Sequence, residues 1–514
     1  MNKVKETVQK MTNYRWAICA LLFFATTVNY LDRQVLSLTW KDFIAPEFHW
    51  NDNDYGWITS IFSLVYAISM LFAGRFIDWM DTKKGFLWAI FIWSIGACLH
   101  AFCGIATAGF AEGQWLGFKG AAELLKAAEH VGPIISISVY LMIFARIVLA
   151  IGEAGNFPAA IKATAEYFPK KERAFATSIF NFGAAAGALI APVTIPSIAV
   201  AWGWEWAFII IGASGFAWMA FWVFVYKKPE KNPHVNKTEL EYILQDKEDA
   251  VEEGKDEKKL SWGQCFKFKQ TWSFAVGKFM TDGVWWFLLF WVPAYLSDVF
   301  GYTSDTPEAK IAIFTIYAIT ILSIIGGWLP SFFVNKKGME PYAGRMRSML
   351  IFAFIPLLVL LAQPLGMYFF AKDYAPIIFL GIPVIIIGLA GAAHQSWSAN
   401  IFSTVSDMFP KSAVATVTGI GGMAGGIGSF IINKSSGSLF TYASGTTMLN
   451  GEEVEMTKDL LHAGAEFVRP AMTFAGFEGK PAGYFIIFCV CAVAYLVGWI
   501  VMKGLVPKYK KVEI

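Results

Sequence analysis

GRFIDWMDTKKG, Gly74 to Gly85, and GWLPSFFVNKKG, Gly327 to Gly338, align without a gap, and each follows a long apolar run. A second pair repeats the pattern. YFPKKERAFATSIFNFGAAAGALI, from Tyr167, parallels MFPKSAVATVTGIGGMAGGIGSFI, from Met408, with a two-residue deletion. Both pairs join equivalent apolar runs of the two chain halves, so the sequence reads as one unit used twice.

Runs near twenty apolar residues, the length that crosses a bilayer, begin close to Trp16, Tyr55, Phe86, Pro133, Ala174 and Trp204. Six more begin close to Thr271, Ala312, Ser348, Pro376, Ala413 and Pro481. The expected fold is an all-α membrane protein with 12 transmembrane helices in two six-helix pseudo-symmetric bundles. Residues 1–226 form the first bundle, 227–269 a cytoplasmic linker and 270–514 the second bundle. Composition agrees: only 16% of the 514 residues are charged and 56% are hydrophobic, against about 25% charged in soluble domains. With both termini placed inside, 29 of the 42 Lys and Arg residues fall in cytoplasmic segments and nine in outside loops. That asymmetry is what orientation by basic loops requires.

The net charge of +3 points to no nucleic-acid partner. The polar opening MNKVKETVQKMTNYR precedes an apolar run too long for a secretory signal, and five of six cysteines lie in apolar spans, so no disulfide framework is expected. In the linker, Thr238 and Glu241 have capping-box spacing, which predicts a surface helix that either braces the halves or simply connects them. Two outside loops are long, 107–132 and 434–480. Their stretches KGAAELLKAAEH and GEEVEMTKDLLHAGAEF predict short amphipathic helices.

A six-plus-six parallel repeat marks carriers whose substrate sits at the midplane between the halves, and Gly/Ala runs in spans 5 and 11 would let helices approach closely. GRFIDWMDTKKG resembles the loop between helices 2 and 3 of the major facilitator superfamily, with Gly74, Asp78, Lys83 and Lys84 matching. Trp79 stands where that family usually has Arg or Lys. The resemblance implies a gating role for Gly74 and Asp78.

NYLDRQ, Asn29 to Gln34, sets Asp32 and Arg33 inside the first span, where insertion scales charge roughly 2.5–3.5 kcal/mol per ionised group at the helix centre. The fourth span carries RIVLAIGEAGNFPA: Arg146 and Glu153 are two turns apart and share a face, Asn156 continues it, and Pro158 should loosen the helix just beyond. Intramembrane ionisable residues line pathways or relays by default. A carboxyl group in a low-dielectric setting holds its proton more tightly and can exchange it near neutral pH. A fixed arginine can grip a carboxylate with two hydrogen bonds. Together they form the minimum equipment for coupling anion uptake to protons.

NYLDRQ, RIVLAIGEAGNFPA and YFPKKERA are similar to the anion:cation symporter branch, and AAHQSWSAN with DYGWITSIFSLVYAI resembles its bacterial hexuronate transporters. The resemblance implies proton coupling by Asp32 and Glu153, substrate or gating roles for Tyr30, Arg33 and Tyr66, and an electrostatic role for Arg146. Asn181 in span 5 reads equally as a sugar contact or a packing hydrogen bond.

In span 7, Lys278 and Asp282 have the spacing of an ion pair within one helix, and Trp285 with Trp286 can stack on a sugar ring. Span 10 concentrates His394, Gln395, Ser396, Trp397, Ser398 and Asn400, a hydroxyl-recognition surface or a packing seam. The first half would handle charge and protons, the second hydroxyls. The expectation is a monomeric, multi-pass carrier of the bacterial inner membrane, not an enzyme, needing no cofactor or metal. It imports a hexuronate with a proton. Alternatives are another sugar acid (an aldonate such as galactonate, or glucarate), sodium as the coupling ion, or a non-transporting sugar-acid sensor.

Overall fold

The computed structural model describes residues 11–245, 261–449, 452–457, 460–461 and 463–512. Among the described residues, ten helices are long and apolar enough to cross a bilayer, from Asp52–Met80 and Thr82–Ala101 to Lys480–Leu505. Two more long helices, Tyr14–Thr39 and Lys411–Ala443, take the first and eleventh places.

The eleventh helix runs antiparallel along the second. Gly437 meets Asp52 and Gly56, Gly426 meets Ala67, and Gly419 meets Leu71. At 1.5 Å per residue this seam is about 27 Å long, close to a hydrocarbon core of roughly 30 Å. A Cβ on Gly437 would fall 2.4 Å from the Asp52 carbonyl oxygen. Glycine is what lets these backbones come so near.

The first helix is unusual in being buried on every side from Leu31 to Thr39. Its polar residues there face protein rather than lipid, which is how a span can carry Asp32, Arg33, Gln34 and Ser37. It lies beside the fifth helix (Lys170–Trp202), with Gly183 against the Phe23 carbonyl and Gly187 against Thr27 and Tyr30.

The long loops diverge. The stretch after the third helix forms Cys103–Glu112 and Phe118–Lys126, the second burying Ala121 and Leu125 as an amphipathic helix should. The loop at 434–480 corrects the other expectation in part: Leu460 and Leu461 are helical, but the chain before them is extended. Gly445, at φ 76°, turns the chain out of the eleventh helix, and strand β1 (Thr446–Leu449) then pairs antiparallel with β2 (Glu452–Glu455). A second hairpin joins β3 (Thr473–Phe474) to β4 (Phe477–Glu478). β-branched Thr446, Thr447 and Val454 favour the extended ladder. Gly451, Lys458, Asp459 and His462 of the same stretch lie outside the described residues.

The linker does form a helix, Lys237–Leu244, but Asn236 caps it by accepting from the Glu239 N–H, in place of the box at Thr238. Glu239 is instead buried under the first helix, pairing with Arg15 at 3.0 Å and accepting from Thr12. This part of the linker is fastened to the chain's first half. The chain termini and the linker share one end of the bundle, since Thr12 bonds Asn236 and the Val512 N–H bonds Met408. We refer to it as the linker end, and to its opposite as the far end.

Candidate functional site

Arg33 donates from Nε (3.0 Å) and Nη2 (2.6 Å) to one oxygen, Oε2, of Glu153. Both side chains are buried. Glu153 closes the first segment of the fourth helix, Val131–Glu153, and Asn156 opens the second, Asn156–Tyr167. The break falls where the sequence places it. Pro158 has no N–H for the Ala154 carbonyl, and its ring crowds that carbonyl.

Aromatic rings enclose the guanidinium. Its carbon stands 4.7 Å from the ring centroid of Tyr66, 5.0 Å from those of Tyr30 and Trp286, and 5.9 Å from that of Phe62. A cation held against ring faces in a dry site gains about 2 kcal/mol or more. Trp286 belongs to the seventh helix (Lys269–Phe300), so this cradle is built from both halves of the chain.

Asp32 diverges from Arg33, as neighbours on a helix do. It stands within electrostatic reach of Glu153, Arg146 and Arg33. Arg146 also lies against Phe62, 5.3 Å from the ring centroid. Among the described residues, neither oxygen of Asp32 takes a hydrogen bond, nor do Glu153 Oε1, Arg146 Nε and Nη1, or the amides of Asn29 and Asn156. All five residues are buried. Leaving such groups unpaired costs about 1–3 kcal/mol each, and these five stand on the first and fourth helices around the Arg33–Glu153 pair.

The second half divides differently from the expectation. Trp286 joins the cradle, whereas Trp285 stacks on His394 at 5.3 Å. His394 Nδ1 lies 2.7 Å from the Tyr495 hydroxyl, and Trp397 meets the same tyrosine edge-on. Asn400 donates to the carbonyls of Gly326 and Ser396 at 2.8 Å. His394, Trp397 and Asn400 thus make their contacts within the second half, and Gln395 stays half-buried. Lys278 and Asp282 pair at 2.7 Å, with the ammonium over Phe402. Asn181 is exposed, off the face that packs on the first helix. The structure therefore gathers Tyr30, Arg33, Tyr66, Glu153 and Trp286, with Asp32 and Arg146 adjoining.

Sequence reasoning missed Phe62, which touches both arginines, and Tyr55, a neighbour of Arg146 whose hydroxyl donates to the Phe290 carbonyl at 2.9 Å. A signal existed: Tyr55, Phe62 and Tyr66 fall on one stripe of the second helix, at intervals of seven and four.

Beyond the helix seam, the polar contacts that tie the halves gather at the far end. There Lys41 lies 3.0 Å from Asp52 and 3.0 Å from Asp298, while Lys480 lies 2.5 Å from Asp52 and 3.0 Å from Glu455. Ser304 donates from both its N–H and its hydroxyl to Asp42 at 2.7 Å. At the linker end, Asp78 is exposed and pairs with Lys162 of its own half at 2.9 Å. Open space surrounds Gly74. The far end is closed.

The description "Major Facilitator Superfamily" matches residues 22–432. Among curated relatives, the hexuronate transporter of Escherichia coli (strain K12) is 28% identical over 435 residues, covering 84% of this chain and 89% of that one. The galacturonate transporter of Dickeya chrysanthemi is 26% identical over 328 residues, covering 63% of this chain and 84% of that one. A probable galactarate/D-glucarate transporter of Escherichia coli (strain K12) is 25% identical, covering 78% and 87%. Among solved structures, a bacterial homolog of the human lysosomal transporter Spinster superposes with a TM-score of 0.63 at 18% identity, over 96% of this chain and 97% of that one. A D-xylose-proton symporter gives 0.62 at 15% identity, over 97% and 100%. With four-fifths of its length inside that match and the twofold helical repeat behind it, the chain belongs to the Major Facilitator Superfamily, a family of membrane transporters rather than enzymes.

Proposed function

We propose that this transporter imports a hexuronate, galacturonate or glucuronate, together with a proton, across a bacterial inner membrane with both termini cytoplasmic. The names of its relatives supply the substrate class. The observation that carries the mechanism is the Arg33–Glu153 pair inside an aromatic cradle that both halves supply.

An ionised Glu153 occupies the two-pronged face of Arg33, so it competes with any incoming carboxylate. A proton on Glu153 removes that competitor, and Arg33 then grips the sugar's carboxylate. Tyr30, Tyr66 and Trp286 border the same guanidinium and would meet the sugar ring. Because Trp286 arrives from the second half, filling the cradle draws the halves together, as alternating access requires. Asp32 serves as the second proton site, beside Arg146. The bundles 1–226 and 270–514 move as the two bodies. With the termini inside, the closed far end faces outward, and the described state is the one that releases substrate inward.

A second reading rests on Arg146. Its Nε and Nη1 carry no hydrogen bond from the described residues, and these free donors would suit the second carboxylate of an aldarate such as galactarate.

Uptake of labelled galacturonate into proteoliposomes, in sodium-free buffer with and without an inward proton gradient, tests both. Gradient-dependent accumulation blocked by glucuronate but not by galactose is the expected result. Block by galactarate at lower concentration than glucuronate selects the second reading. Accumulation independent of the proton gradient would remove proton coupling from the scheme.

A further inference from the structure

The linker end carries a place where charge is left unmatched. Between the start of the seventh helix and the end of the twelfth (Lys480–Leu505), a cleft of about 540 Å³ is lined by Lys267, Lys269, Lys508, Lys510 and Lys511. All five lysines are exposed. No acidic residue lines the cleft among the described residues.

This is a built surface rather than a trailing basic tail. The Val512 N–H donates to the Met408 carbonyl at 2.8 Å, and Gln270 Nε2 donates to the Lys510 carbonyl at 3.0 Å. Tyr342 donates to the Val506 carbonyl at 2.8 Å. The chain leaving the twelfth helix is thus laid across the mouth of the seventh. Basic residues are ordinary on this end of a carrier, but the corresponding corner of the first half is arranged otherwise. At the start of the first helix Arg15 is buried between Glu172 and Glu239, 3.0 Å from each. Arg15 is neutralised there, whereas no acid lines the cleft beside its five lysines among the described residues.

Depth and lining narrow the ligand. Leu505 ends one span and Lys269 begins another, so the cleft opens at headgroup level. Phe268, Leu505 and Val506 supply its apolar wall. Lysines alone would suit any anion, whereas lysines above an apolar wall suit an anion joined to hydrocarbon. Basic clusters beside membrane spans attract anionic headgroups in this way. We propose that this cleft is a binding site for the phosphate headgroup of an anionic phospholipid, with its glycerol and upper acyl carbons against Phe268 and Leu505.

The test is native mass spectrometry of the full chain in detergent, titrated with dioleoylphosphatidylglycerol or dioleoylphosphatidylcholine. The wild type should retain the anionic lipid in preference to the zwitterionic one. K508Q/K510Q/K511Q should reduce its retention by at least about tenfold while eluting as a folded protein. K84Q/K336Q/K337Q removes equal charge elsewhere on the same end and should leave retention unchanged. Equal loss in both triple variants, no loss in either, or displacement of the lipid by millimolar inorganic phosphate would each overturn the proposal.

Discussion

Two clusters of charge, one partly buried at the far end and one buried within the bundle, are finished to different degrees. At the far end, Asp52 has two ammonium partners, and each of those lysines has a further carboxylate: Asp298 for Lys41, Glu455 for Lys480. Within the bundle, one arginine and one glutamate are paired, while Asp32, Arg146, Asn29 and Asn156 leave polar atoms without a hydrogen bond from the described residues. A folding requirement would complete both. The far-end cluster behaves as a latch, in which matched charges hold surfaces together. The inner cluster behaves as a site, in which unmatched groups serve whatever binds.

The latch also has a way to open without baring charge. Its cross-half contacts are Lys41–Asp298 and Asp52–Lys480. Lys41 and Asp52 both belong to the first half, while Lys480 and Glu455 both belong to the second. Parting the halves therefore leaves each lysine beside an acid of its own half. Buried ion pairs are costly to break when one partner is stranded, at about 3–5 kcal/mol; here each lysine keeps an acid, and Asp298 keeps the hydrogen bond from the Tyr484 hydroxyl at 2.9 Å.

The largest expected effect comes from preventing that parting. The Asn53 N–H donates to the Thr441 hydroxyl at 3.0 Å across the two halves, which sets the two positions side by side. An oxidised N53C/T441C carrier should lose all transport in proteoliposomes and recover it with dithiothreitol. Full transport with the bridge shown complete by mass would break the distinction between latch and site.

Next in size is the inner pair. Arg33→Lys keeps the charge but loses the planar fork, and gradient-driven uptake should fall on the order of a hundredfold, matching the 2–5 kcal/mol expected when a buried charged hydrogen bond is spoiled. Glu153→Gln should abolish accumulation against a gradient while retaining substrate exchange at equal pH. If Glu153→Gln still concentrates substrate, the proton acts elsewhere and Asp32 is the remaining candidate.

A smaller effect separates the adjacent tryptophans. Trp286→Ala removes a wall of the cradle and should raise KM about tenfold, about 1.4 kcal/mol, with little change in the maximal rate. Trp285→Ala, which loses its stack on His394, should alter thermal stability more than KM. Equal KM changes in both variants would show that the cradle does not extend to the seventh helix as described.

The fold was legible because a repeated loop and twelve apolar runs are statements about periodicity, and the bilayer enforces periodicity. The inner site was half legible. Charges inside a span announce themselves, which is why Asp32, Arg33, Arg146 and Glu153 stand out. Their pairing does not: Arg146 and Glu153 share a helical face, yet Glu153 bonds Arg33 of another helix. Polar residues of the tenth helix looked like a recognition surface because sequence cannot tell which way a helix faces inside a bundle, and Asn400 is spent on packing. The latch was invisible. Lys41, Asp52 and Lys480 sit at span ends, where charged residues are commonplace and only tertiary contact distinguishes a bridge from a solvated group.

Glu47 is a far-end acid with no cation bonded to it among the described residues, and it yields the smallest effect. It lies in the short helix Ala45–Phe48, accepts a hydrogen bond from Trp204 Nε1 at 2.8 Å, and is buried. Burial pushes its carboxyl up to about 7; the Trp204 bond opposes this and the neighbouring Glu205 charge adds to it. The folded chain therefore holds a proton that the unfolded chain releases at ordinary carboxylate pH. The stability this group contributes is full below the unfolded value, and it drains away as pH rises toward and through about 7. Thermal unfolding in detergent should accordingly show the wild type losing a few degrees more than Glu47→Gln between pH 5 and pH 8. Parallel pH slopes for the two proteins would mean that Glu47 is already ionised in the fold, and that the far end tolerates an unmatched charge just as the inner site does.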